Sequence, residues 1–157
     1  MTYNTYLKWI SSLVLSSAMI GCSGLPPHRP AEVAAAVSPV IDGKPVLTTF
    51  QTTLILDSFE FSVSAVSNKD QVFGRVVETP DDIFFVLWRR DAEVFVPVAK
   101  AAKRDIIRVR RGKYMFITPY AAIQTRDNKF YAFICGAGCE QFAVGLEEIA
   151  RSNATMR

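Results

Sequence analysis

A single histidine, His28, stands among 157 residues. Sites built on a histidine general base, the Ser-His-Asp and Cys-His arrangements, therefore have no base in the body of the chain. Phosphate-cradling glycine loops, zinc-binding helix motifs and nucleophile elbows are also absent from the sequence. Only three cysteines occur, and no histidine lies near the later two, so a metal site lacks ligands. The acidic pairs Asp81-Asp82 and Glu147-Glu148 read as turn chemistry after Pro80 and as a helix surface. Neither an enzyme nor a metal is expected. Charge of one sign is lacking too: 18 basic against 15 acidic side chains give +3, which points to no global affinity for nucleic acid. Long apolar runs are scarce. The best one, Trp9 to Ile20, is diluted by Ser11, Ser12, Ser16 and Ser17 and is followed by Pro26 and Pro27. A membrane-spanning helix needs roughly 20 apolar residues.

What that run does have is a polar start, with Lys8 as its only charged side chain, and a small residue at its end, in Met19-Ile20-Gly21-Cys22. Those are the parts of a secretory signal. The segment resembles the lipobox of bacterial lipoprotein precursors over residues 1–22. The resemblance implies that residues 1–21 are a signal peptide and that Cys22 is the lipid attachment site, carrying diacylglycerol and an N-acyl chain, with no other cofactor. Ser23, in place of the aspartate that holds such proteins at the inner membrane, implies an outer-membrane address, on the periplasmic face. Two or more acyl chains make such anchoring stable where one is marginal. Without residues 1–21 the chain keeps 17 basic and 15 acidic side chains, a charge of +2.

Residues 22–45 are expected to be a tether. They hold Pro26, Pro27, Pro30, Pro39 and Pro45, five of the eight prolines in the chain, and proline-rich segments are extended and semi-rigid. Ala31 to Val37, behind Pro30, has the makings of a short helix that is marginal alone.

Residues 46–157 are enough for one domain with its own core. The expected fold is mainly β with an α+β margin: a single antiparallel β-meander, closed as a small barrel or folded as a sandwich. Val46–Leu56 is β-prone, and Phe59, Phe61, Val63 and Ala65 alternate with polar residues. Ser67 to Asp70 is turn chemistry, and Gln71–Thr79 resumes a strand that Pro80-Asp81-Asp82 breaks. Ile83–Arg90 is nearly all apolar until its two arginines, which fits either a central strand covered on both faces or a core helix, and Phe84, Phe85, Val86 and Trp88 favour the strand. Pro97 within Val94–Val98 marks an edge or an end. Lys100–Arg104 predicts a helical turn, Ile106–Arg111 a strand, Gly112-Lys113 a hairpin turn with Tyr114–Ile117 pairing back, and Lys129–Ile134 a last strand. Phe142, Leu146, Ile149 and Ala150 then fall at helical spacing, which predicts a C-terminal helix.

Two features stand out as contact surfaces. Cys135-Gly136-Ala137-Gly138-Cys139 brackets three small residues between cysteines, and in an oxidising periplasm the pair can bridge, Gly136 and Gly138 supplying positive φ. A structural clip is the first expectation and a presented recognition loop the second. Tyr131 to Val144, around this loop, is similar to the cysteine-bracketed loop of lysozyme inhibitors of the Ivy type. The family's loop carries a histidine that this one lacks. Lys100, Lys103, Arg104, Arg108, Arg110, Arg111 and Lys113 form a basic stripe interrupted by Asp105, with Arg108 and Arg110 on one strand face and Ile107, Val109 and Arg111 on the other. Either it is a solvated face, or it meets an anionic partner such as lipopolysaccharide, anionic lipid or an acidic protein. Phe84, Phe85 and Trp88 read as core, or as the wall of an apolar-ligand cavity. The expected function is a lipid-anchored, non-catalytic accessory of an envelope protein complex, for secretion, pilus or conjugation. The alternatives are a hydrolase inhibitor working through the cysteine loop and a carrier of an apolar ligand.

Overall fold

A computed structural model describes residues 26–56, 71–114, 117–136 and 138–155. The leader, Cys22, the alternating stretch from Phe59 to Ala65, the turn at 67–70 and Ala137 lie outside the described residues.

Seven strands follow one another: β1 (Thr48–Leu56), β2 (Gln71–Glu78), β3 (Asp82–Arg89), β4 (Val94–Ala102), β5 (Ile106–Tyr114), β6 (Thr118–Thr125) and β7 (Phe130–Ile134). They make one antiparallel sheet in the order β4-β3-β2-β1-β7-β6-β5. Two meanders, β1 to β4 and β5 to β7, are thus joined through the pairing of β1 with β7. Helix α1 (Pro30–Val37) precedes the sheet and helix α2 (Cys139–Thr155) follows it.

Strand periodicity assigns alternate residues to two faces. On the inner face, Leu54, Val76, Phe85, Ala101, Ile106, Ile123 and Phe133, one from each strand, join one buried cluster with Phe142, Ala143, Leu146 and Ala150 of α2. Side chains from both ends of a seven-stranded sheet meet in one core because the sheet curls on itself. It stays open, since β4 and β5 are the two edges and a 3-10 turn, Lys103–Asp105, bridges them. The amide of Asn153, on α2, donates to the Lys103 and Ile106 carbonyls at 2.8 Å each and so ties the helix to that bridge.

Strand β3 is buried on both faces, as its unbroken apolar run requires. Phe85 faces inward, while Phe84 and Val86 face outward into a second cluster with Val77 and Phe95. What covers that outer face is α1. Val33, Val37 and Ile41 fall four residues apart and are almost fully buried there. The stretch read as a tether up to Pro45 is therefore not extended throughout: from Pro30 on, its apolar stripe gains more by packing than by staying in water.

Two further expectations change. Lys100 and Ala101 remain in β4, paired with Phe84 and Ile83, and the helical turn starts only at Lys103. Gly112 and Lys113 are no hairpin turn; they pair with Tyr120 and Pro119, and β5 runs on to Tyr114. Pro97 does mark an edge strand, beside a register shift between Phe85 and Val86, a common device for discouraging edge-to-edge pairing. The C-terminal helix buries Phe142, Leu146 and Ala150 as its spacing requires.

Candidate functional site

The basic stripe divides between the two open edges of the sheet and the turn linking them. Arg108 and Arg110 are exposed on the outer face of β5, opposite Gln124 and Ala122. Val109 packs inward and Arg111 reaches Glu147 of α2 at 3.1 Å. Lys103 is mostly buried against Glu78, Nζ to Oε1 2.6 Å. Lys100 sits over the ring of Phe84, 5.1 Å from its centroid, and 3.4 Å from Asp82. Arg104 and Lys113 are exposed and form no ion pair among the described residues. A cation with a close carboxylate has lost much of its attraction for an outside anion, so the stripe is less available than its length suggests.

Lys100, Lys103 and Arg104 do converge. With Lys44, Asp81, Asp82 and Asn153 they line a surface cavity of about 540 Å³ beside the 3-10 turn. Its organiser is Asp82, a residue the sequence offered only as turn chemistry. Asp82 opens β3 with a side chain 7% exposed and holds Lys44 at 2.8 Å and Lys100 at 3.4 Å. Its backbone N–H donates to the Thr79 hydroxyl, which donates in turn to the Asp82 carbonyl. An acid at the mouth of an otherwise apolar strand is the signal that could have marked it.

Burial pushes the Asp82 carboxyl up, but hydrogen bonds and charge from Lys44 and Lys100 outweigh it and hold it below the usual carboxylate range. A carboxyl titrating lower in the folded than in the unfolded chain contributes stability that is complete above its unfolded value of about 4 and is lost as pH falls through the folded value. Asp82→Asn is expected to lower the unfolding midpoint at pH 7 and to flatten its decline below pH 4. Thermal melts from pH 7 to pH 2.5 check this; an unchanged acid limb would remove Asp82 from the account.

Cys135 and Cys139 form a disulfide with Cα atoms 5.3 Å apart, and both are buried. The bond clips the end of β7 to the first residue of α2. Gly138 has φ +100°, a conformation that favours glycine, whereas Gly136 does not adopt a positive φ. Both glycines are exposed. The loop and the stripe, 22 residues apart between Lys113 and Cys135, meet in space: Arg111, Gly112 and Lys113 line a cavity of about 220 Å³ with Cys139 and Glu140.

The aromatic trio is separated. Phe85 fills the inner core, while Phe84 and Trp88 belong to the outer cluster, where Trp88 meets Phe95 edge-on at 5.0 Å. The three do not enclose a common cavity. No group of three or more metal-ligating side chains occurs among the described residues.

No protein-family model matches the chain, and no curated protein sequence does. Similarity is found at the level of fold. The chain resembles the C-terminal domain of an unknown protein from Leishmania infantum, with a TM-score of 0.50 and 13% identity, over 78% of this chain and 98% of that one. It also resembles part of Vav1, solved with an allosteric inhibitor that blocks its GEF activity, with a TM-score of 0.50 and 6% identity over 92% of this chain. The chain spans about a third, 32%, of that structure's length. At such identities the likeness concerns the fold alone.

Proposed function

We propose that the protein is an outer-membrane lipoprotein, anchored through Cys22, whose β domain docks without catalysis onto an envelope protein complex of the secretion, pilus or conjugation kind. The lipobox-like segment supports the anchor. The observation that carries the docking is the convergence of Lys113 with the disulfide-clipped head of α2 on one concave surface. There Arg111 is held by Glu147, and Lys113, exposed and in no ion pair among the described residues, offers its charge to an acidic partner beside a partly apolar wall. Anionic lipid or lipopolysaccharide is the second chemistry such a surface suits. A second reading, inhibition of a hydrolase such as lysozyme, rests on the exposed Gly136 and Gly138 at the loop.

The test is isolation of the tagged full chain from its native envelope with intact-mass analysis, comparing wild type with Cys22→Ser and with Arg111→Glu/Lys113→Glu. Expected are an acylated wild type that brings down an envelope complex, a Cys22→Ser protein without acyl mass, and a charge-reversed protein that is acylated but alone. An unacylated wild type would sink the anchor. Tight one-to-one binding to a hydrolase, lost on replacing residues 136–138, would favour inhibition instead.

A further inference from the structure

The outer face of the sheet carries a second contact surface, away from the basic stripe. Phe73 stands opposite Thr53, Thr53 opposite Ile134, and Trp88 opposite Phe95. The pairing of Arg75 with Val86 brings Phe73, two residues back, beside Trp88. A row of side chains thus crosses the sheet from β4 to β7, and with Gln51 and Arg75 it lines an open groove of about 480 Å³. Phe73 is 74% exposed in that groove.

Arg75 is the unusual member. It is half-buried, and among the described residues its side chain makes one hydrogen bond, from Nη1 to the Thr49 hydroxyl at 3.3 Å. Lys44 and Lys100 share Asp82, Lys103 has Glu78 and Arg111 has Glu147; Arg75 has no carboxylate partner among the described residues. A guanidinium offers five donors in a rigid fork that fits a carboxylate two bonds at a time. Burial also lowers its pKa, with no charge partner to offset the loss of hydration.

We infer that this groove receives a segment of a partner protein in which an Asp or Glu side chain pairs with Arg75 while a neighbouring apolar side chain packs on Phe73 and Trp88. The inference rests on the docking function proposed above and supplies it with a specific contact. A fatty acid fits less well. Small-molecule sites bury most of their ligand in a concave, largely apolar pocket, whereas this groove is open and has Gln51, Thr52, Thr53 and Arg75 along its walls. Such a surface suits a polypeptide, which brings polar backbone with its apolar anchor.

The full-length protein is to be applied to an array of eight-residue peptides pairing Phe, Leu or Trp with an adjacent Asp or Glu, each beside its Asn or Gln counterpart. Acidic members are expected to bind and amide members to bind at least tenfold more weakly. Arg75→Gln should abolish that preference, and Arg75→Lys, which keeps the charge but loses the fork, should recover only part of it. Phe73→Ser should weaken all members about tenfold; its exposure makes it a variant that folds, to be verified by an unchanged melting curve. Equal binding of acidic and amide members, unchanged binding by Arg75→Gln, no binding at all, or displacement of every peptide by sodium decanoate would each overturn the inference. If the array fails while the wild type still co-isolates with an envelope complex, the groove falls and the docking function stands; peptide binding by a protein that comes out of the envelope alone would show the reverse.

Discussion

Phe85→Ala is expected to lower the free energy of unfolding by about 3–5 kcal/mol, the usual loss when a buried phenylalanine is cut back to alanine. Phe85 is 1% exposed and packs in the cluster where all seven strands and α2 meet. A loss of that size consumes much of the roughly 5–15 kcal/mol available to a domain of this kind. Urea denaturation should show it as a fall in midpoint with little change in slope. The neighbouring Gly74 sharpens the test. A Cβ there would lie 2.6 Å from Cζ of Phe85 and 2.5 Å from the Val86 carbonyl oxygen, closer than side chains tolerate, so Gly74→Ala should cost about 1–3 kcal/mol by overpacking. In the double variant the ring is gone but the carbonyl is not. The two losses should therefore add to more than the double variant shows, with only part of the Gly74 penalty relieved. Strict additivity would mean that the ring does not press on β2.

Val37→Asp should release α1 from the sheet. Val37 is fully buried between α1 and the outer face of β3, and an ionised carboxylate cannot be held there without a partner. Undocking exposes Val33, Val37 and Ile41 together, each worth about 1.5–3 kcal/mol of burial. Hydrogen exchange should speed up across residues 30–43 while the amides of β6 and β7 keep their protection. Uniform loss of protection would mean that α1 and the sheet unfold as one unit; no change would mean that α1 contributes nothing.

Most of the described strands were legible because a half-buried strand writes its two faces into alternating residues, and β3 because burial on both faces leaves few polar positions; β6 was not, since the strand expected at Tyr114–Ile117 runs instead from Thr118 to Thr125. Misreadings fell where local chemistry and the partner strand disagree. Lys100 and Ala101 favour a helix when taken locally, yet β3 has residues to pair as far as Asp82 and draws β4 along to Ala102. Gly112 looks like a turn residue, but its lack of a side chain serves Tyr120, whose Cε1 would lie 2.8 Å from a Cβ at that position. The stripe was visible as a run of charge. Its neutralisation was not, since Glu78 lies 25 residues before Lys103 and Glu147 lies on a helix whose placement depends on the curl of the whole sheet. Arg75 was invisible for the opposite reason: a lone arginine in a strand gains meaning only from the carboxylate that fails to appear beside it.

Helix α1 also bears on where the domain works. Seven residues separate Cys22 from Pro30, a span of about 25 Å at full stretch, against 22 residues had the chain run free to Pro45. For a protein anchored at Cys22 as proposed above, effective concentration falls roughly as the −3/2 power of tether length, so this shortening raises that of anything at the bilayer surface about sixfold. With the proposed anchor, partners standing farther from the bilayer would fall outside its range. Under the proposed anchoring, docking α1 thus turns a long-reaching arm into a short one, suited to neighbours that hug the membrane.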